Sequence, residues 1–409
     1  MKNRTSNGKR FGIASLTAVL AALLLFTACT PAPTAEEENV VEIAMIGAFT
    51  GAAASASQYA LTNMSNYIRY FNDEIGIPQV TIKLAWADSA FEVPRAISVY
   101  NRLVERGIVG LCIVNPTEAA ALKPKCEGDE VPAIVLGITA SLMYPPGWIY
   151  AIYPTEVERF SVWCNWVMEN WQEERPPRVA LIGTDTEWGR QLEGQGIRYA
   201  ESIGIVMLPT EVVAYLPLDV TTQMLRLREG GADFAYVTST WTTAVPIVKD
   251  AQRLGLIGKM RFAGYENSQS ISLLQVLGDD VEGYSSPRVA PWIEEVEVPG
   301  IKLLRDLQME YQGGLDIQGD EAHQLRAAYI LCEAVKRAIE EVGYENINGS
   351  AVNRALLTMK DFDPYGIGPV TYTPEDHRGS NLVRIYRVKS GEVVPITDWR
   401  EAPMIVPEG

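Results

Sequence analysis

The run "VVEIAMIGAF", residues 40–49, is apolar at almost every position rather than at alternate ones. Alternation would mark a strand with one wet face. A continuous apolar run of this length, rich in Val and Ile, reads instead as a strand buried on both faces of a parallel sheet. The same signal recurs further along in "QVTIKLAWAD" (79–88), "GIVGLCIV" (107–114) and "VPAIVLGI" (131–138), with helical periodicity at 57–74, 94–106 and 117–127. It returns in "RVALIGTD" (178–185), "GIVMLPTEVV" (204–213), "ADFAYVTST" (232–240) and "MRFAGY" (260–265), interleaved with helical stretches at 188–203, 219–229 and 241–254. Two successive sets predict an α/β fold of two doubly wound parallel-sheet lobes, in keeping with a chain of 409 residues. No short-period repeat supports a solenoid.

The last third reads differently. Residues 299–312, 320–342 and 347–362 look helical, and 368–396 look like short strands with turn residues between them. These elements must pack on the lobes already formed, so the chain is expected to cross between them more than once. The expected division is 41–153 with 288–365 for lobe 1, and 154–287 with 366–409 for lobe 2.

At the front, "MKNRTSNGKR" is basic, residues 11–26 are apolar, and "TAC" brings small residues to Cys29. The apolar stretch is shorter than the ~20 residues of a membrane-spanning helix and has the flanks of a secretory signal, predicted over residues 1–28. An N-terminal anchor helix is the other reading. The small residues before Cys29 resemble a bacterial lipobox, with Leu25 and Phe26 ahead of them. That resemblance implies lipidation of Cys29, attachment to a bacterial membrane and an extracytoplasmic location. Residues 29–40, rich in Pro, Ala, Thr and Glu, read as a flexible tether.

Composition excludes some partners. A formal charge of −16 argues against a nucleic-acid surface. Cys112 ends an expected strand and Cys126 ends the expected helix after it, about a helix length apart, so a bridge between them is not expected. Cys164 and Cys332 fall in apolar helical patterns, where cysteine serves as a small buried hydrophobe. No spacing suggests a metal site, and no cofactor motif appears. With only His323 and His377, and no GxSxG, HExxH or P-loop pattern, an enzyme is not expected. His377 in "DHRG" reads as a turn residue, and the tryptophans of "VWCNWVMENW" (162–171) as packing residues.

In open parallel sheets ligands bind beyond the carboxyl ends of the strands. That rule nominates "AFTGAAASASQ" (48–58), "IVNPTEA" (113–119) and "GITASL" (137–142) in the first lobe. In the second it nominates "TDTEWGR" (184–190), "TSTWTT" (238–243) and "GYENSQ" (264–269). Small residues admit a ligand to backbone N–H groups, and hydroxyls add donors.

The order and spacing of "IAMIGAFTGAAA", "YIRYFNDEIGI", "DAQRLGLIGKMRFAG", "VEGY" and "GIGPVTYTPEDHRG" resemble the periplasmic Leu/Ile/Val-binding proteins of ABC importers, over nearly all of residues 41–397. The resemblance implies a type I periplasmic binding fold and places the family's amine-gripping glutamate on Glu266. It places two pocket aromatics on Trp188 and on Thr240, beside Trp241. Two carboxylate-holding hydroxyl positions fall on Val114, beside Asn115, and near Thr139 to Ser141. A pocket tryptophan falls on Ala56, leaving room for a ligand larger than leucine. Each residue also has a plainer reading: Glu266 as a helix cap or solvated acid, Trp188 as helix packing, Thr139 and Ser141 as caps. The implied function is capture of a small polar solute, an amino acid or related amide, by a monomer that hands it to an ABC permease. A ligand sensor of the same fold, signalling to a membrane partner, is the alternative.

Overall fold

The computed structural model describes residues 39–51, 54–318 and 321–406. The expected leader, Cys29 and the tether up to Glu38 lie outside them. Asn39 and Val40, expected in the tether, already belong to the first strand.

That strand, β1 (Asn39–Gly47), has Ile43, Ala44, Met45 and Ile46 all at 0% exposure, as its unbroken apolar run requires. It is followed by α1 (Ala54–Tyr70), β2 (Val80–Asp88), α2 (Val93–Glu105), β3 (Leu111–Ile113), α3 (Pro116–Gly128), β4 (Ala133–Val135), α4 (Ala140–Met143) and β5 (Ile149–Tyr150). Among the described residues the first sheet has five strands in the order β2-β1-β3-β4-β5. The β1–β3, β3–β4 and β4–β5 ladders are parallel.

The chain then crosses to the second lobe through α5 (Glu156–Asn170), β6 (Arg178–Thr184), α6 (Gln195–Ser202), β7 (Val206–Met207), β8 (Glu211–Val213), α7 (Thr221–Glu229), β9 (Phe234–Thr238), α8 (Trp241–Arg253), β10 (Arg261–Gly264), α9 (Ile271–Leu277) and β11 (Ser285–Arg288). It returns through α10 (Pro299–Gln312), α11 (Glu321–Val342), α12 (Gly349–Leu357), β12 (Thr371–Thr373) and β13 (Asp376–Gly379), then adds β14 (Leu382–Lys389), β15 (Glu392–Pro395) and β16 (Arg400–Glu401). The second sheet runs β15-β14-β11-β10-β9-β6-β7, with β8 also on β6 and β16 on β14. Its β6, β9, β10 and β11 are parallel, and β14 joins antiparallel. The architecture is therefore the expected pair of parallel-sheet lobes with several crossings.

Some elements differ from their sequence reading. "GIVMLPTEVV" forms two strands on β6, since Pro209 offers no N–H at the break. The helix expected from 188 begins only at Gln195, after Gly194 at φ +90°. "DHRG" is strand β13 rather than a turn. His377 is buried in it, stacked on Tyr150 with ring centroids 4.1 Å apart, and its main-chain oxygen accepts from Ala151 N at 2.8 Å. Residues 376–379 thus lie beside the first sheet, and β14 from Leu382 pairs in the second.

Helix α11 is the internal pillar, packed against α1 and α12. Its Arg326, at 0% exposure, donates to the carbonyl oxygens of Ile152 (2.8 Å) and Val289 (2.9 Å), one from each of the first two crossings. Cys112, Cys126, Cys164 and Cys332 are buried free thiols, and Trp163 and Trp166 are buried packing residues. Among the described residues no helix is long and apolar enough to cross a membrane, and no group of three or more His, Cys, Asp or Glu side chains could hold a metal ion.

Candidate functional site

Among the described residues seven turns, four from the first sheet and three from the second, converge on one cleft, with Phe91 following β2. Ala48 follows β1, Val114 to Pro116 follow β3 and Leu136 to Ile138 follow β4. Facing them, Trp188 follows β6, Thr240 follows β9 and Asn267 follows β10. Each is at the carboxyl end of a strand, where a parallel sheet leaves its loops free to meet a ligand. Gly137 shows how tight the first wall is: a Cβ there would lie 2.7 Å from Pro116 Cδ and 3.0 Å from the Val114 carbonyl oxygen. Bare backbone therefore faces the cleft at that point.

The floor is polar. It comes from the first crossing and from α11: Tyr153, Glu156, Arg159, His323 and Gln324. "PTEVER" builds it locally. Glu158 N donates to Thr155 Oγ1 at 3.4 Å, and Thr155 N donates to Glu158 Oε2 at 2.8 Å, a reciprocal cap that fixes the first turn of α5. Glu156 and Arg159, three residues apart, then share one face, and Arg159 Nη2 bonds Glu156 Oε1.

From Arg159 a buried ion chain continues inward. Its Nη1 lies 3.3 Å from Glu266 Oε2, and Arg288 Nη2 lies 3.1 Å from Glu266 Oε1. Val289 N is a second donor to Oε2, at 3.3 Å. The side chains of Glu156, Arg159, Glu266 and Arg288 are all at most 4% exposed. The positive groups beside Glu266 thus belong to the protein itself. Glu266 stands behind the cleft wall, and its neighbour Asn267 lines the cleft. Glu266, expected as the direct grip for a ligand ammonium, is here flanked by two guanidinium groups that already neutralise it.

Glu156 stands differently. It lines the cleft; its Oε2 has no partner of good hydrogen-bond geometry among the described residues, although the Trp188 side chain lies near enough to act on the carboxylate. Burial pushes its carboxyl up to about 7, with Arg159 opposing the rise, Glu266 adding to it and the Trp188 side chain opposing it again. His323 is held neutral: burial, then the charges of Arg159, Arg326 and Arg288, keep its pKa well below the usual histidine range. Its ring meets Tyr153 edge-on at 5.4 Å.

Of the residues nominated from sequence, Val114, Asn115, Trp188 and Thr240 line the cleft, and Trp241 lines a recess adjoining it. Asn115 also caps α3, its Oδ1 accepting from Thr117 N at 2.8 Å. Trp188 lies against Tyr265 with centroids 5.0 Å apart, so it packs its own lobe as well. Thr139 and Ser141 do not line the cleft; their hydroxyl oxygens are 2.9 Å apart and bond each other. The sequence reading missed Glu156, Arg159, His323 and Gln324. Polar residues inside the apolar run of α11, and the capping signature at Thr155, are the signals that point to them.

The pattern of the periplasmic binding protein family matches residues 40–392. The chain is 23% identical over 253 residues to the Leu/Ile/Val-binding protein of Escherichia coli K12 and to the Leu/Ile/Val/Thr-binding protein of Salmonella typhimurium LT2. Each of those alignments takes in 59% of this chain and 66% of the relative, just under two thirds of its length. Among solved structures, a branched chain amino acid ABC transporter protein from Thermus thermophilus with bound valine superposes with a TM-score of 0.82 at 23% identity, covering 89% of this chain and 97% of that one. A fatty acid ABC transporter substrate-binding protein from Thermomonospora curvata gives 0.80 at 16% identity, covering 90% and 95%.

Proposed function

This chain belongs to the periplasmic binding protein family, and on that premise we propose that it captures a small zwitterionic solute, an amino acid or related amide, between its two lobes. The solute is then delivered to a membrane permease of an ABC importer. The observation that carries the reading is the convergence of carboxyl-end turns from both sheets on one cleft whose floor presents a half-satisfied carboxylate.

In this mechanism the lobes close on the solute by movement at the crossings. Glu156 Oε2 accepts from the ammonium. The Asn115 side chain and the backbone around Gly137 face the carboxylate, while Ala56, Phe91, Val114 and Trp188 surround the apolar body. Arg159 holds Glu156 in place, and Glu266 in turn holds Arg159, so that the family's acid acts here one layer behind the ligand. Closure removes water and strengthens the ammonium–carboxylate contact. Lipidation of Cys29 would keep the protein, acting as a monomer, close to its permease.

A thermal-shift panel of amino acids, amides and urea tests the reading. A solute at 100 times its Kd adds about 2.7 kcal/mol to stability, a clear rise in Tm. A panel in which no zwitterion moves the melting curve contradicts the proposal.

A further inference from the structure

The cleft continues past Ala56 and Thr240 into a second recess. Ala56, Thr240, Asn267 and Gln324 border both spaces, and the recess runs on to Trp241 and Gln269. Among the described residues it is lined by no Asp, Glu, Lys or Arg.

Gln269 gives the recess its chemistry. The residue is 1% exposed and held from several sides. Its Nε2 donates to the Tyr284 carbonyl oxygen at 3.1 Å, its backbone N donates to Glu266 O at 3.1 Å, and its own carbonyl accepts from Arg288 Nη1 at 3.2 Å. The bond to Tyr284 O fixes which end of the amide is which. Its Oε1 is left as a buried acceptor with no partner among the described residues. Such an atom favours whatever brings it a donor.

We propose that this recess is a second subsite, which receives the far end of the solute and selects an uncharged hydrogen-bond donor there: an amide, a ureido group or a hydroxyl. The proposal rests on the reading of Glu156 as the grip for the ammonium, which sets the near end. A charged far end would lose its hydration with no counter-charge among the described residues of the recess. An apolar far end would leave Gln269 Oε1 unpaired, and sites built to hydrogen-bond a substrate group discriminate strongly against analogues that lack it. The small side chain of Ala56 keeps the two spaces continuous.

Calorimetry on the protein tests this with L-citrulline, L-norleucine and L-lysine as probes, three zwitterions whose side chains end in a ureido group, a methyl and an ammonium. L-citrulline is expected to bind at least tenfold more tightly than either of the others. Gln269→Met should erase that ratio, and Ala56→Phe, which narrows the passage, should erase it too. Because the readout is a ratio of Kd values on one protein, general damage to a variant does not imitate it. Comparable affinities for all three probes, or a citrulline preference that survives both substitutions, would overturn the subsite and leave the Glu156 grip standing. Failure of all three probes and of L-alanine to bind would overturn both.

Discussion

Replacing Glu156 by Gln preserves the shape of the side chain and its contact with Arg159 while removing the charge that faces the cleft. An ammonium about 3 Å from Oε2 gains about 5 kcal/mol at an effective dielectric of about 20. Part of that is offset by desolvation, and truncating one partner of a buried charged hydrogen bond typically costs 2–5 kcal/mol. Glu156→Gln should therefore weaken binding of the best solute by about thirtyfold to several thousandfold. The size of the loss should depend on pH. With its carboxyl raised to about 7 by burial, Glu156 is mostly ionised at pH 8 and ready for an ammonium. At pH 6 the solute must first displace a proton, which weakens wild-type binding about tenfold. The variant has no proton to lose there, so the gap between the two proteins should shrink about tenfold from pH 8 to pH 6. Titration calorimetry at both values reads it. Equal affinities at pH 8, or a gap independent of pH, would refute the assignment of the grip to Glu156.

Other outcomes follow from the buried charges. Glu266→Gln removes the buried carboxylate that joins Arg159 and Arg288, all three side chains being at most 4% exposed, and should lower stability by about 3–5 kcal/mol, read from the urea midpoint. Its effect on solute affinity at pH 8 should be smaller than that of Glu156→Gln; the reverse order would restore Glu266 as the direct grip. Arg326→Met removes the donors to Ile152 O and Val289 O and should cost roughly 1–3 kcal/mol for each carbonyl left unpaired. Hydrogen exchange should quicken at residues 150–154 and 288–292 in that variant, and unchanged protection there would mean that the crossings are held by other contacts.

Much of the fold could be read from the chain because burial on two faces leaves a one-dimensional trace. Ile43 to Ile46 have no polar alternation to hide, and the same holds for Val179 to Ile182. Where a local interruption mattered, as with Pro209 between β7 and β8 or Gly194 before α6, its residue type was visible but its effect on the ladder was not. The turns that form the cleft were legible for the same reason as the strands, since they follow them. The floor was not. Glu266 stood out as a lone acid after an apolar run, yet its partners Arg159 and Arg288 lie 107 and 22 residues away, and no local pattern announces such a pairing. His323 and Gln324 become floor residues only because α11 threads between the lobes with its polar side chains toward the cleft.

An ionised Glu156 must meet the solute's ammonium, and proton release on binding tests this most directly. Calorimetry of the best zwitterion at pH 7, in two buffers of different ionisation enthalpy, counts the protons exchanged. A carboxyl with a pKa of about 7 that ionises fully on binding should release about half a proton, and Glu156→Gln should release none. Binding of the wild type with no proton released, or the same release from the variant, would contradict it.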